Sequence, residues 1–137
     1  MTGYLLDTNH ASRFLSGDPR LTDRIRAARA GEHSFGISMT VLGELYYAAY
    51  ASQRRDENLG NLAAFLESSL LWEFDRLAAE EFGRIQAEQK RRGRPIPPSD
   101  AQIAAVARLR TLTILSSDAH FASVENLAVE DWLEARP

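Results

Sequence analysis

Apolar positions change their period repeatedly along the chain, and each change marks a new element. Tyr4-Leu5-Leu6 is a short continuous apolar run that stops at Asp7-Thr8-Asn9. That is the pattern of a buried central strand whose tip turns into a helix. Asp18-Pro19 reads as an N-cap with proline at the first helical position, which predicts a helix over 19–30 stopping at Gly31. Residues 34–38 (SFGIS) predict a second strand. From Thr40, the positions Val41, Leu42, Leu45, Tyr46 and Ala49 recur at helical spacing. The polar Arg54-Arg55-Asp56-Glu57 predicts a turn, followed by a helix over 58–68 and a third strand over 70–74. Asp75 is placed to cap a long helix over 77–92, with Leu77, Phe82, Ile85 and Gln89 on one side. Lys90-Arg91-Arg92-Gly93 is its stop signal. Beyond the stiff Pro95-Ile96-Pro97-Pro98, Ser99 is expected to cap a helix whose inner face is Ile103, Ala104 and Ala107. A fourth strand over 113–117, a helical turn near 119–124 and a small strand at 127–129 complete the pattern.

Strands that alternate with helices imply right-handed βαβ units. The expected fold class is α/β: three layers, α/β/α, around a mostly parallel sheet of four to five strands. The 137 residues suit one domain, expected to span 1–137. In such a sheet the ligand crevice lies beyond the carboxyl ends of the strands, so chemistry is expected at the strand tips.

Composition narrows that chemistry. A chain with 45% hydrophobic and 26% charged residues is an ordinary globular one. The absence of cysteine excludes disulfides, thiol nucleophiles and Cys-ligated metals, and three histidines leave little for a His-rich site. No run approaches the roughly 20 apolar residues of a membrane span. The first residues lack the basic region of a secretory signal. A cytoplasmic protein without a membrane partner is expected. Only Lys90 among the sixteen basic residues is lysine. This weighs against a phosphoaspartyl enzyme or receiver domain, whose sites use a lysine on the phosphoryl group. The net charge of −3 argues against nucleic-acid binding by bulk charge.

Four of the nineteen acids are not accounted for by solvation alone. Asp7 and Asp118 end strands, Asp100 lies in the first turn of a helix, and Glu44 sits between Leu42 and Leu45 at or near the buried side of its helix. Each has an ordinary reading: a cap, a dipole partner, or a rim carboxylate paired with arginine. Together they are placed to converge on one crevice. Two like charges ~5 Å apart repel by about 3 kcal/mol at an effective dielectric of 20. Six such pairs reach on the order of 20 kcal/mol, beyond the ~5–15 kcal/mol of typical net stability. A tight cluster must therefore hold a cation or take up protons; otherwise it is looser than supposed. Oxygen ligands select a hard ion, Mg²⁺ or Mn²⁺, and such an ion suits phosphodiester chemistry. The alternative is a non-enzymatic domain that binds a partner or nucleic acid and carries incidental acids.

Four segments carry a resemblance that covers nearly the whole chain. They are Leu5-Leu6-Asp7-Thr8-Asn9, Glu44 within residues 38–45, residues 97–105 (PPSDAQIAA), and Leu115-Ser116-Ser117-Asp118-Ala119-His120-Phe121. In order and spacing they resemble the PIN domain, and more narrowly the VapC/FitB-type toxins of bacterial toxin–antitoxin pairs. The resemblance implies a metal-dependent endoribonuclease with Asp7, Glu44, Asp100 and Asp118 at an Mg²⁺ or Mn²⁺ site. By the same resemblance, Asn9 and Ser116 orient the first acid or hold water, serine standing where threonine is common. It also implies an RNA substrate, a homodimer, and a small antitoxin that forms a hetero-oligomer with the toxin. Arg91, Arg92 and Arg94 beside Lys90, and Arg13 after Asp7, are candidates for holding RNA phosphates, although a basic helix end also complements the helix dipole. Tyr46, Tyr47 and Tyr50 are expected in core or dimer packing rather than in base stacking. His10 and His120 adjoin the site and are expected at the surface or in support of the acids.

Overall fold

The protein is described by a computed structural model covering residues 1–134. Five strands form one sheet in the order β3-β2-β1-β4-β5, and every pairing is parallel. The strands are β1 (Gly3–Leu6), β2 (Ser34–Ser38), β3 (Leu70–Trp72), β4 (Thr113–Leu115) and β5 (Ala128–Glu130). Seven helices among the described residues complete a three-layer α/β/α arrangement: α1 (Thr8–Leu15), α2 (Pro19–Ala30), α3 (Met39–Ala51), α4 (Arg55–Glu67), α5 (Arg76–Arg91), α6 (Pro98–Arg110) and α7 (Ala119–Ala122). β1 is the central strand, as its unbroken apolar run requires: Leu5 and Leu6 are fully buried, with Ile37, Ile114 and Leu115 beside them on β2 and β4.

Capping chemistry places the helix starts. Asp7, Ser38, Asp75 and Asp118 each follow or approach a strand end and accept a backbone N–H from the first turn of the next helix. Asp18 does the same for α2, and the Arg20 guanidinium beside it holds its carboxyl down to about 2.

Several boundaries differ from the sequence expectation. α4 begins at Arg55, so Arg55, Asp56 and Glu57 are helical and not a turn. Charged side chains are tolerated on an exposed first turn, and the two acids there favour the helix dipole. Ser99 does not cap α6: Pro97 occupies that position without a side-chain bond, and Pro98 starts the helix two residues earlier than a Ser99 cap would. β3 ends at Trp72, and Phe74 beyond it packs edge-on against Phe82. β4 stops at Leu115, short of Ser117. On α5 the inward face carries Ala78, Ile85 and Gln89, while Leu77 points out, 54% exposed.

Two features tie the layers together. Gly36 lies where β3 crosses closest: a Cβ there would meet the Leu70 carbonyl oxygen at 2.2 Å. Past β5, Trp132 packs on Tyr4 and Phe35, with ring centroids at 4.9 and 5.7 Å, and Arg24 lies over its outer face. No helix among the described residues is long and apolar enough to cross a membrane.

Candidate functional site

The carboxyl edge of the sheet collects the acids singled out in the sequence. Asp7 leaves β1 with its backbone N–H donating to the Leu115 carbonyl of β4, 3.1 Å away. Its Oδ1 accepts the His10 N–H at 2.8 Å, and the residue is almost fully buried. Asp118 follows β4 two residues past the buried Ser116, whose Oγ accepts the Asp118 N–H at 2.9 Å. Asp100 enters from α6, in its first turn. Burial pushes the Asp100 carboxyl up from the usual carboxylate range, and the charges of Asp118 and Asp7 push the same way. The His120 ring opposes them by hydrogen bonding and charge. The three aspartates therefore share one electrostatic site.

Glu44 is placed differently from the expectation. It is exposed on α3, because the inward stripe of that helix is Val41, Leu42, Leu45 and Ala49 and Glu44 lies one position off it. It still reaches the site: the Thr8 hydroxyl, next to Asp7, donates to Glu44 Oε1 at 3.0 Å. Glu44 is not a member of the tight donor group. That group is Asp100, Asp118 and His120, with one donor atom from each lying within 4.8 Å of the others. The Thr40 hydroxyl donates to Gln102 Oε1 at 2.9 Å and joins α3 to α6 above the same edge.

The remaining candidates divide. Asn9 and Arg13 are exposed on α1, and Arg91 and Arg94 are exposed at the end of α5. Arg92 differs from them: its guanidinium donates to the Ser123 carbonyl at 2.7 Å and to Gln89 Oε1 at 3.2 Å, which holds the loop after α7. Tyr46, Tyr47 and Tyr50 are not in the core; they are 37%, 76% and 61% exposed.

Two histidines matter more than their sequence positions suggested. His10 is fully buried, not at the surface. Its Nε2 accepts the Trp132 N–H at 3.2 Å, which leaves the proton on Nδ1, 3.4 Å from Asp7 Oδ1. His120 places Nδ1 2.8 Å from Asp100 Oδ2 and 3.1 Å from Asp118 Oδ1. For His10, the i, i+3 spacing from a cap aspartate was the only available signal.

The donor set suits a hard divalent cation. Asp100 and Asp118 converge without a lysine, Asp7 adds its charge from the end of β1, and Asp100 is already disfavoured as an anion by burial and by like charge.

The chain is similar to known proteins over nearly its whole length. The PIN domain profile matches residues 4–127. The chain is 34% identical over 133 residues to the tRNA(fMet)-specific endonuclease VapC of Shigella flexneri, covering 96% of this chain and 99% of that protein. The crystal structure of DNA-bound VapBC from Salmonella typhimurium superposes with a TM-score of 0.87 at 29% identity, covering 96% of this chain and 99% of the other. VapBC2 from Rickettsia felis, bound to a DNA fragment from the promoter, does so with a TM-score of 0.87 at 25% identity and the same coverage. With a profile that spans nearly its whole length and with acids gathered at the carboxyl edge of a five-stranded parallel sheet, the chain belongs to the PIN-domain family.

Proposed function

We propose that the chain is a metal-dependent endoribonuclease acting as the toxin of a toxin–antitoxin pair. The observation that carries this reading is the meeting of Asp7, Asp100 and Asp118 at one sheet edge in a PIN-domain chain. Asp7, Asp100 and Asp118 would hold Mg²⁺ or Mn²⁺, with Glu44 at the rim. When bound, such an ion supplies Lewis-acid charge that acidifies water and offsets negative charge on the phosphate and on the leaving oxygen.

The chain's own groups do the rest. Glu44, oriented by the Thr8 hydroxyl, accepts a hydrogen bond from the attacking water and aligns it. The water oxygen bonds to phosphorus as the bond from phosphorus to the 3′-oxygen breaks and that oxygen takes a proton, leaving 5′-phosphate and 3′-hydroxyl ends. Ser116 fixes the backbone of Asp118, and Asn9 offers a polar contact beside Asp7. Arg13, Arg91 and Arg94 supply charge for the RNA phosphates, whereas Arg92 is engaged by Ser123.

The antitoxin is assigned to the groove between α1, α3 and α4. It has a volume of about 330 Å³, and Leu15, Leu45, Ala49 and Leu62 line it together with Arg54 and Glu57 at the rim. It runs along the two helices that carry Asn9 and Glu44, so an amphipathic segment lying there approaches the acids. Self-association is assigned to the exposed tyrosines of α3.

Asp7→Asn tests the reading. Asparagine caps helices as well as aspartate, so the fold is retained while a charge is lost. The expected result is RNA cleavage at background with an unchanged circular dichroism spectrum. Equal cleavage by the variant, or by the wild-type chain in EDTA, would sink the proposal.

A further inference from the structure

Building on the metal-dependent reading above, we propose that His120 is a ligand of the same cation, adding a nitrogen donor to the carboxylate set. Its Nδ1 lies between two of the acids, 2.8 Å from Asp100 Oδ2 and 3.1 Å from Asp118 Oδ1. Cis donors around an octahedral ion at roughly 2.1 Å are about 3 Å apart. Both separations match an edge of such an ion, so a cation enters without moving the ring from its neighbours.

The backbone that carries the ring is held there by the local fold. Asp118 caps α7, and its Oδ1 accepts the backbone N–H of His120 at 2.9 Å, which binds the residue to the carboxylate it would share a metal with. At the other side the Ser123 hydroxyl donates to the His120 carbonyl at 2.8 Å. The side chain is 46% exposed, so it fills no core space. Its position is explained by what it faces.

The consequence is selectivity. A site built only of carboxylates does little to separate Mg²⁺ from Mn²⁺, whereas imidazole suits transition ions better than Mg²⁺. His120 therefore biases the site toward Mn²⁺.

The test loads the full chain with Mn²⁺ and records electron spin-echo envelope modulation, with calorimetric titrations of Mn²⁺ and of Mg²⁺ alongside. The wild-type chain is expected to show a directly coordinated ¹⁴N. His120→Ala is expected to lose that signal and to bind Mn²⁺ about tenfold more weakly or worse, the scale on which groups around a metal register. Its Mg²⁺ affinity is expected to change less. Asp118→Asn serves as the reference for a lost carboxylate. If Mn²⁺ binds the wild-type chain and Asp118→Asn abolishes binding, but no ¹⁴N is seen, or the signal survives in His120→Ala, the inference about His120 is overturned and the metal reading stands. If Mn²⁺ does not bind the wild-type chain, both fall.

Discussion

Asp100 is the residue at which the opposing demands of the site meet. Burial and the charges of Asp118 and Asp7 hold its carboxyl above its ordinary value, with His120 offsetting part of the effect. A carboxyl raised on folding binds its proton more tightly in the native chain than in the unfolded one. Its stabilising share is therefore complete below the unfolded value of 3.8 and is lost as the pH rises through the native value. In EDTA at neutral pH, Asp100→Asn is expected to raise the melting temperature by a few degrees. At pH 3 the two proteins should melt together. With Mn²⁺ present the order should reverse, because the wild-type chain alone keeps the full ligand set. A variant less stable than wild type in EDTA at pH 7 would contradict this account. At this scale the sequence singled out these acids because each broke a pattern: Asp7 and Asp118 at the ends of apolar runs, Asp100 after two prolines. It did not reveal the position of the His120 ring, since a spacing of two residues across a helix cap says nothing of where a side chain turns.

Among the elements, the strands were the most legible, because a parallel sheet buried on both faces reads as short unbroken apolar runs. All five expected strands are present. The errors fall at helix starts, on helix faces and at the ends of β3 and β4. Asp56 and Glu57 look like a turn, yet an exposed first turn accommodates them, and Ser99 looks like a cap, yet Pro98 begins α6 before it. Glu44 reads as inward from its apolar neighbours, but on a helix one position is 100°, enough to carry it from the packed stripe to the rim. Backbone spacing gives the sharpest prediction here. Gly36→Ala places a methyl group 2.2 Å from the Leu70 carbonyl oxygen and 2.8 Å from the Trp72 ring, forcing β2 and β3 apart. The expected cost is about 1–3 kcal/mol in urea unfolding, the range of overpacking. A variant as stable as wild type would show that β3 does not sit as close as described.

For the molecule as a whole, net charge takes on a different meaning. Lifting the four proposed site carboxylates, Asp7, Glu44, Asp100 and Asp118, from −3 leaves +1 for the remainder. The acidity that argued against a nucleic-acid partner is concentrated at the proposed catalytic edge, and arginine is left to meet the phosphates. Two surfaces then require separate tests. Ala48 borders the groove assigned to the antitoxin and is exposed on α3. Ala48→Arg is expected to weaken antitoxin binding by at least about tenfold, since a buried unpaired charge costs more than 1.4 kcal/mol, while leaving RNA cleavage by the isolated chain intact. Undiminished binding in a pull-down with the antitoxin would place that partner elsewhere. Tyr47→Glu with Tyr50→Glu is expected to yield a monomer in light scattering if the α3 tyrosines join two copies.

The backbone amide of Trp132 ends at His10 Nε2, and His10 in turn stands behind Asp7. All four acids of the proposed site, Asp7, Glu44, Asp100 and Asp118, lie upstream of residue 131. A premature stop codon at that position would preserve every one of them and still strip the buried imidazole of its hydrogen-bond donor, while removing the indole that covers Tyr4 and Phe35. For a chain proposed as a toxin, a nonsense change at codon 131 is thus a route to silencing that spares the codons of the proposed site altogether.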